Sequence, residues 1–331
     1  MTNPVNMTLD QDQQDTIEYT SSTVCIAGPG SGKTRALTAK AEYLMNSGIS
    51  DIICLTFTRA AAAEIRTRTP GVLAGTIHSF CHSVVGWEQD HDDLLARYIM
   101  EGKDKFSWVL VDEIQDLTPE QMEVALSLIK PGGGLFAVGD PYQSIYGYGG
   151  AMGAEALDVL IGAGCRSFEL KNNYRSTQQV CDRLNRIYPR GTLSRGTNEN
   201  GITAILCRSN DSVQSVSEIF KSQKIGHTIR RQGRREVAFF GSSDIRVSTI
   251  HKAKGLEFSN VILHGWSPPS YTFGRSRISK RDAEEMNVYY VAVSRAVSGY
   301  AETFAEFDLV MQLESFIPNL KQEHVYTPRE A

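Results

Sequence analysis

Long apolar runs are absent from this sequence. The longest ones, such as residues 60–63 and 106–111, fall far short of the roughly 18 residues that cross a bilayer. Residues 1–6 also lack a basic stretch followed by an apolar segment, so the sequence predicts no secretory signal. We therefore expect no membrane partner and a protein that stays in the cytoplasm, its own or that of a host.

Closely spaced cysteines are absent as well. The six cysteines form no C-x-x-C pair, and no histidine lies at ligand spacing from them; they are Cys25, Cys54, Cys81, Cys165, Cys181 and Cys207. This spacing argues against a zinc site and favours buried, reduced thiols.

Neither sign of charge dominates the chain. It has 34 basic and 38 acidic side chains, a net charge of −4. This balance argues against a protein that coats nucleic acid through bulk charge, although it leaves a local basic groove open. Apolar residues make up 41% of the chain, which excludes a disordered protein.

Short apolar runs alternate with amphipathic helical stretches, a pattern typical of an α/β fold with mostly parallel sheets. Because 331 residues exceed one ordinary core, we predict two α/β modules in tandem, residues 1–164 and 165–331. The predicted strands are 23–27, 52–57, 108–111, 135–138, 167–170, 204–207, 245–249 and 261–263. The predicted helices are 33–45, 60–68, 119–129, 177–187, 212–221 and 281–295.

A phosphate-binding loop is predicted at residues 27–34, AGPGSGKT, between a strand and a helix. Its glycines allow backbone N–H groups to face phosphate oxygens at a helix N-terminus. In such a loop Lys33 reaches the β- and γ-phosphates of ATP, and Thr34 is a ligand of Mg²⁺. The predicted nucleotide-binding residues here are Gly28, Gly30, Ser31, Gly32, Lys33 and Thr34. Ala27 departs from the usual first glycine.

Two adjacent carboxylates, Asp112 and Glu113, follow the apolar run 109–111. At the carboxyl end of a parallel strand, where ligands of α/β sheets bind, such a pair forms a hydrolysis site. Asp112 would hold Mg²⁺, and Glu113 would accept a proton from the attacking water.

Ten short segments occur along the chain in a fixed order. The first five are LDQDQ (9–13), AGPGSGKTR (27–35), TFTRAA (56–61), GTIH (75–78) and DEIQD (112–116). The others are GDPYQSIY (139–146), NYRST (173–177), AILCRSN (204–210), TIHKAKGLEF (249–258) and YVAVSRA (290–296). In this order they resemble the motifs of the UvrD/Rep group of superfamily 1 DNA helicases. The resemblance implies two RecA-like P-loop modules with ATP in the cleft between them.

By position, the resemblance assigns further residues to ATP. Gln13 would read the adenine, Arg35 and Tyr174 would flank its ring, and Glu257 would bind the ribose. Gln143 would sense the γ-phosphate and couple it to the nucleic-acid site. Arg175 and Arg295 would be arginine fingers that neutralise charge developing in the transition state. A surface salt bridge is the alternative role for each arginine.

The resemblance also implies a single-strand binding surface. Phe57, Tyr146 and Tyr148 would stack on bases, and Thr56, His78 and His251 would donate to the backbone; they follow strand ends or lie in the matching motifs. An isolated aromatic or histidine is more often a core residue, so these assignments depend on motif context.

Some positions depart from the family pattern. Gly149 and Asn287 stand where the family usually has arginine, and Pro141 and residues 284–287 are closer to the F-box DNA helicase branch. We expect a DNA contact to be lost at Gly149.

The family's inserted subdomains also have little room. Only residues 81–106 can form the first insert, and a short segment at 223–245 replaces the second. Residues 301–316 lack the Gly, Pro or Asn turn signals of a strand-separating hairpin. The loop 267–281 is a candidate substitute wedge.

The sequence therefore predicts an ATP- and Mg²⁺-dependent single-stranded DNA translocase of helicase type, with 3′-to-5′ polarity and tailed or forked duplex as substrate. Such a protein would be associated with the nucleoid, or with the host cytoplasm if a phage encodes it. Two alternatives stay open: an ATP-gated binding or recruitment module without productive unwinding, and an RNA-directed motor. Protein partners do not follow from the sequence.

Overall fold

The chain forms two compact units that divide between Lys171 and Asn172. This is a computed structural model, and it describes residues 9–86, 94–102, 105–194, 201–230, 236–239, 244–268, 279–317 and 320. No helix in these ranges is long and apolar enough to span a bilayer.

The first unit is a parallel sheet with helices between its strands. Its elements are α1 (Gln11–Glu18), β1 (Thr23–Ala27), α2 (Lys33–Asn46), β2 (Ile52–Thr56), α3 (Arg59–Arg68), β3 (Leu73–Thr76), α4 (Ile77–Val85), α5 (Leu94–Glu101), β4 (Phe106–Val111), α6 (Pro119–Ser127), β5 (Ile129–Gly139), α7 (Glu155–Gly162) and β6 (Arg166–Leu170). Within the described residues the strand order is β3-β2-β4-β5-β1-β6. Successive residues of β1 alternate between two core clusters, since Val24 lies in one and Cys25 in the other.

The second unit repeats this architecture. Its elements are β7 (Asn172–Asn173), α8 (Gln178–Ile187), β8 (Leu193–Ser194), β9 (Thr203–Cys207), α9 (Asn210–Ser222), β10 (His227–Arg230), β11 (Glu236–Phe239), β12 (Ile245–Thr249), α10 (Ile250–Ala253), β13 (Phe258–His264), α11 (Lys280–Ser294), β14 (Ala296–Thr303) and α12 (Glu306–Phe316). Its described main sheet has the order β11-β10-β12-β9-β13-β14. The pairing of β10 with β11 is antiparallel, and the other pairs are parallel.

The predicted α/β alternation is confirmed, and β1 and β12 have the predicted bounds. The predicted module boundary at 164–165 lies too early, because β6 pairs with β1 and therefore completes the first sheet. Cysteine burial is confirmed except at Cys165, which is half-buried. Burial raises the pKa of the Cys25 thiol to about 12, as expected for an unreactive thiol.

The sequence predicts no strand-separating hairpin in residues 301–316. There β14 leads into α12, so these described residues contain the end of a strand and a helix. Most of the candidate wedge 267–281 lies outside the described residues, as do parts of the segments 81–106 and 223–245.

Candidate functional site

The phosphate loop joins β1 to α2 at the carboxyl edge of the first sheet. Gly30 and Gly32 have φ of 69° and 86°, a left-handed conformation that glycine adopts without strain. Gly32 is the N-cap of α2, and no described side chain caps this helix start. The backbone N–H groups of the first turn, with Thr34 and the half-buried Arg35 among its residues, are thus suited to an anion.

Two hydrogen bonds within the loop fix its conformation. The Ser31 hydroxyl donates to the Gly28 carbonyl at 2.7 Å, and Lys33 Nζ lies 3.3 Å from the Ala27 carbonyl oxygen. The Lys33 ammonium group therefore stays beside the glycines, where phosphates would bind.

The Gln13 side chain, on α1, contacts this loop. Its Nε2 donates to the Ser31 carbonyl at 3.0 Å, and its Oε1 accepts from the Asp10 backbone N–H at 3.2 Å. The side chain is buried. A Cβ placed on Gly32 would lie 3.1 Å from Gln13 Nε2, so the loop and the glutamine pack tightly. Contact of Gln13 with adenine stays a prediction.

Lys40 fixes α1, the helix that carries Gln13, and sequence reasoning missed it. Its Nζ donates to the carbonyls of Ile17 and Tyr19 at 2.9 and 2.6 Å, which caps the end of α1. The ammonium group also lies 4.6 Å from the centroid of the Trp108 ring. Burial lowers its pKa to about 8.

Asp112 and Glu113 lie directly after β4. Burial and then the neighbouring Glu113 carboxylate raise the pKa of Asp112 to about 7, against the opposing effect of Lys33. Glu113 has φ 52° and ψ 49°, a left-handed conformation that is uncommon for a residue with a Cβ, and its N–H donates to Asp112 Oδ1 at 3.0 Å.

These residues fit a bound Mg²⁺ ion. A cation beside Asp112 would offset the cost of its buried negative charge. No cluster of three or more His, Cys, Asp or Glu side chains suited to a metal occurs in the described part of the chain. Mg²⁺ usually takes one or two carboxylates, water and substrate phosphates rather than a full protein cage, and Asp112 would be one such carboxylate.

A hydrogen-bond network, which sequence reasoning missed, connects Glu113 with the end of β5. Gln115 Nε2 donates to Glu113 Oε2 at 2.6 Å, and Gln115 Oε1 accepts from the Asp140 backbone N–H at 3.0 Å. Asp140 Oδ2 in turn accepts from Gln143 Nε2 at 3.0 Å. A Cβ on Gly139 would lie 2.5 Å from Gln115 Oε1, so this approach requires glycine.

The first unit also contains a cavity of about 480 Å³, which we call the aromatic cavity. Several of its lining residues follow Gln143 closely in the chain. It is lined by Thr56, Phe57, Thr76, Ile77, His78, Asp116, Leu117, Thr118, Gln121, Tyr146, Tyr148, Gly149 and Ala151. Phe57 and Tyr146 are stacked, with centroids 5.3 Å apart and an interplanar angle of 18°. Tyr148 lies edge-on to Tyr146 and is 78% exposed. The aromatic residues predicted to stack on bases are thus together.

The starts of α4 and α6 also line this cavity. Thr76 and Thr118 are their N-caps, and His78 lies in the first turn of α4. Helix starts favour negative charge, so phosphates suit this wall, although Asp116 adds a buried carboxylate. Thr56 is buried and donates to the Thr58 carbonyl at 2.9 Å.

The second unit brings together Arg175, Glu257 and Arg295. Arg175 forms an ion pair with Glu257, and Arg295 Nη1 donates to the Leu256 carbonyl at 3.2 Å. Tyr174, beside Arg175, is half-buried. The ribose role of Glu257 and the adenine role of Tyr174 stay predictions.

The two arginines differ in accessibility. Arg295 is 3% exposed, and its guanidinium donates to the Val291 carbonyl at 3.3 Å and to Ser294 Oγ at 2.9 Å. The Arg175 side chain is 23% exposed.

His251 lies in the second unit on α10 and is half-buried.

Comparisons with known proteins match the chain to two families and to several helicases. Residues 13–149 match the family described as AAA domain, and residues 228–299 match the UvrD-like helicase C-terminal domain. The chain is 25% identical over 337 residues to a protein of Mycoplasma pneumoniae named "Probable DNA helicase", covering 86% of this chain and 60% of that one. It is 27% identical over 221 residues to DNA helicase IV of Escherichia coli, covering 57% of this chain and 32% of that one.

A solved structure shows the same fold. The crystal structure of the Pif1 helicase from Candida albicans superposes with a TM-score of 0.56 at 15% identity, over 93% of this chain and 99% of that one. The likeness supports two RecA-like modules. This chain spans 60% of the length of the first of these curated relatives and 32% of the second.

Proposed function

The chain, with its two family matches in tandem, belongs to the UvrD-like superfamily 1 helicases, and from this premise we propose that it is an ATP-driven motor on single-stranded DNA. One observation carries the proposal. The network from Glu113 through Gln115 and Asp140 reaches Gln143, which lies three residues before the base-stacking candidate Tyr146. A change at the hydrolysis site can therefore reach the aromatic cavity through these hydrogen bonds and the short chain segment from Gln143 to Tyr146.

The proposed ATP site uses the loop and carboxylates of the first unit. The start of α2 and Lys33 would bind the phosphates, Thr34 and Asp112 would hold Mg²⁺, and Glu113 would accept the proton of the attacking water. Bound Mg²⁺ would neutralise phosphate charge during phosphoryl transfer. Arg175 supplies a positive charge at the γ-phosphate in the transition state.

The proposed nucleic-acid site is the aromatic cavity. A base between Phe57 and Tyr146 requires these rings to move apart, because stacked rings at 5.3 Å leave no room for a third. The 3′-to-5′ polarity rests on the family resemblance.

Two measurements test this function. ATP turnover should rise on addition of single-stranded DNA, and a short duplex with a 3′ tail should be displaced faster than one with a 5′ tail. Turnover that is indifferent to nucleic acid would contradict a motor. Stronger stimulation by RNA than by DNA would instead favour the RNA-directed alternative.

An ATP-gated clamp is the second candidate, and one observation favours it. Within the described residues β14 leads to α12, and no strand-separating hairpin follows it. The two candidates separate in an assay for directional displacement of a protein bound to single-stranded DNA, since a clamp binds but does not displace. We expect displacement, together with poor unwinding of long duplexes.

Tyr148→Ala should weaken single-strand binding by about 1–3 kcal/mol, the usual contribution of one stacked base. The side chain is 78% exposed, so its loss should cost little folding stability. The salt dependence of binding should stay unchanged because stacking releases no counterions. Fluorescence titration with an oligonucleotide at several salt concentrations measures both quantities.

Phe307→Ala is the matched control for this variant. Phe307 is an aromatic residue of the second unit that is 73% exposed and lies outside the lining of the aromatic cavity. It should bind DNA like wild type. Tyr148→Phe should retain most of the affinity, since the ring is preserved. If the Ala and Phe variants weaken binding equally, Tyr148 does not act by stacking on a base.

Gly149→Arg should strengthen single-strand binding roughly fivefold at 0.1 M salt and steepen the salt slope by about 0.7, the effect of one added phosphate contact. A Cβ at Gly149 would meet no atom within 4 Å, and the residue lines the aromatic cavity. The arginine should thus be accommodated without strain and restore a charge at a position where the family usually has one.

Gly162→Arg is the control for the added charge. A Cβ there also meets no atom within 4 Å, and Gly162 lies at the end of α7, outside the cavity lining. If both arginines strengthen binding equally, the gain is a general charge effect, and Gly149 is not at a DNA contact.

A further inference from the structure

Asn173 lies at the start of the loop that carries Arg175, and its side chain is completely buried. Its Oδ1 accepts two hydrogen bonds, from the backbone N–H groups of Arg175 and Ser176, both at 2.8 Å. An asparagine that binds the backbone two residues ahead forms an Asx turn, which fixes the direction of the chain. The backbone of Arg175 is thus bonded to a buried group.

The rest of the loop is bonded to the start of β14. The Ser176 hydroxyl donates to the Ala296 carbonyl at 2.9 Å, and the Thr177 N–H donates to the Val297 carbonyl at 2.8 Å. Ser194 Oγ donates to the Ser176 carbonyl at 2.6 Å. With the backbone held on both sides, the remaining freedom of Arg175 is in its side chain.

The two halves of the Asn173 amide differ. Its oxygen accepts two bonds, whereas Nδ2 is buried and has no hydrogen-bond partner among the described residues. A buried donor without a partner costs free energy. The oxygen is therefore the half of this side chain that the loop uses.

We propose that Asn173 is a positioning residue for Arg175: by holding the backbone N–H groups of Arg175 and Ser176, it places the guanidinium for hydrolysis. The inference rests on the proposed role of Arg175 in ATP hydrolysis. A misplacement of about 1 Å can lower a rate about 10²-fold, so an unfixed loop should be slow even when Arg175 is intact.

Asn173→Ala should lower turnover at saturating ATP and DNA about 10- to 100-fold, while the KM for ATP stays within about twofold of wild type. Asn173→Asp keeps the acceptor oxygen and replaces the unpartnered donor with a second carboxyl oxygen, so it should retain turnover within about threefold of wild type, although burial of the carboxyl should lower the midpoint of thermal unfolding. Asn173→Ser, whose hydroxyl can accept one such bond more weakly, should be intermediate. If the alanine variant fails to fold, the turnover of the Asp and Ser variants still tests whether the rate depends on the hydrogen-bond acceptor at residue 173.

Asn185→Ala is the matched control. Asn185 bridges another loop of the same unit through two bonds to Thr192, an N–H donor at 3.0 Å and a carbonyl acceptor at 2.9 Å. Its removal should lower the midpoint of thermal unfolding without the selective fall in turnover. A merely structural role for Asn173 would give this same result for Asn173→Ala and would overturn the inference.

A double-mutant cycle with Arg175→Ala decides whether Asn173 acts through the arginine. In the Arg175→Ala background, Asn173→Ala should change turnover by less than about twofold. Full multiplication of the two effects, or an Asp variant as slow as the alanine one, would overturn the inference. Slow Arg175→Ala with normal Asn173→Ala would overturn the inference alone, whereas normal turnover in Arg175→Ala would overturn the proposed finger role as well.

Discussion

Glu113→Gln is expected to lower DNA-stimulated ATP turnover by about 10²- to 10⁴-fold, the usual contribution of a positioned general base. Glutamine has almost the same shape as glutamate and can still accept the hydrogen bond that Gln115 Nε2 now donates at 2.6 Å. It cannot accept a proton from water at neutral pH. Binding of ATP should persist, because the phosphate contacts assigned to the start of α2 and Lys33 are untouched.

Steady-state turnover and nucleotide binding, measured separately, check this expectation. Glu123→Gln, which removes an exposed carboxylate from α6 in the same unit, is the control and should behave like wild type. Undiminished turnover in Glu113→Gln would exclude Glu113 as the base. Loss of ATP binding would show instead that its carboxylate organises the nucleotide site.

The elements that position this site could be predicted because their signals are local. The loop between β1 and α2 has glycines at two left-handed positions, followed by Lys33 and Thr34. The helix predicted to begin at residue 119 does begin at Pro119, and its start also depends on adjacent residues, because Thr118 forms a capping box with Gln121. Such patterns depend on a few consecutive residues, so they survive without knowledge of tertiary contacts.

Contacts between distant segments could not be predicted in the same way. β6 has an ordinary strand pattern, and only its pairing with β1 assigns it to the first unit. Lys40 looks like a solvated helix residue, yet its ammonium group bonds carbonyls 21 and 23 residues earlier. Gln115 and Asn173 carry no sequence signal beyond their motifs, since their roles follow from bonds made after folding.

The same limit applies to the two predicted arginine fingers, because the accessibility of each side chain depends on contacts made after folding. Arg295 is 3% exposed, and its guanidinium donates to the Leu256 and Val291 carbonyls and to Ser294 Oγ, so its release would break several hydrogen bonds of a buried group. Arg175 is paired with Glu257, whose side chain is 49% exposed. An ion pair this exposed contributes about 0–1 kcal/mol, and its loss is a small cost.

Arg175→Ala should therefore lower turnover at saturating ATP and DNA by about 10³-fold or more, as expected for an arginine finger, while ATP affinity changes little. A 10³-fold effect corresponds to about 4 kcal/mol in the transition state, which exceeds the cost of leaving Glu257. Arg175→Lys should also be slow, because an ammonium group lacks the planar fork of guanidinium.

Single-turnover hydrolysis with Arg186→Ala as control separates this role from a general loss of charge, since Arg186 is exposed on α8 of the same unit. Arg295→Ala should differ in kind: it should lower the midpoint of thermal unfolding as well as the rate, because its side chain bonds the segment before β13 to the end of α11. If Arg175→Ala weakens ATP binding but turns over normally at saturation, Arg175 binds the nucleotide without acting in the transition state. A large rate loss in Arg295→Ala with unchanged stability would then make Arg295 the finger.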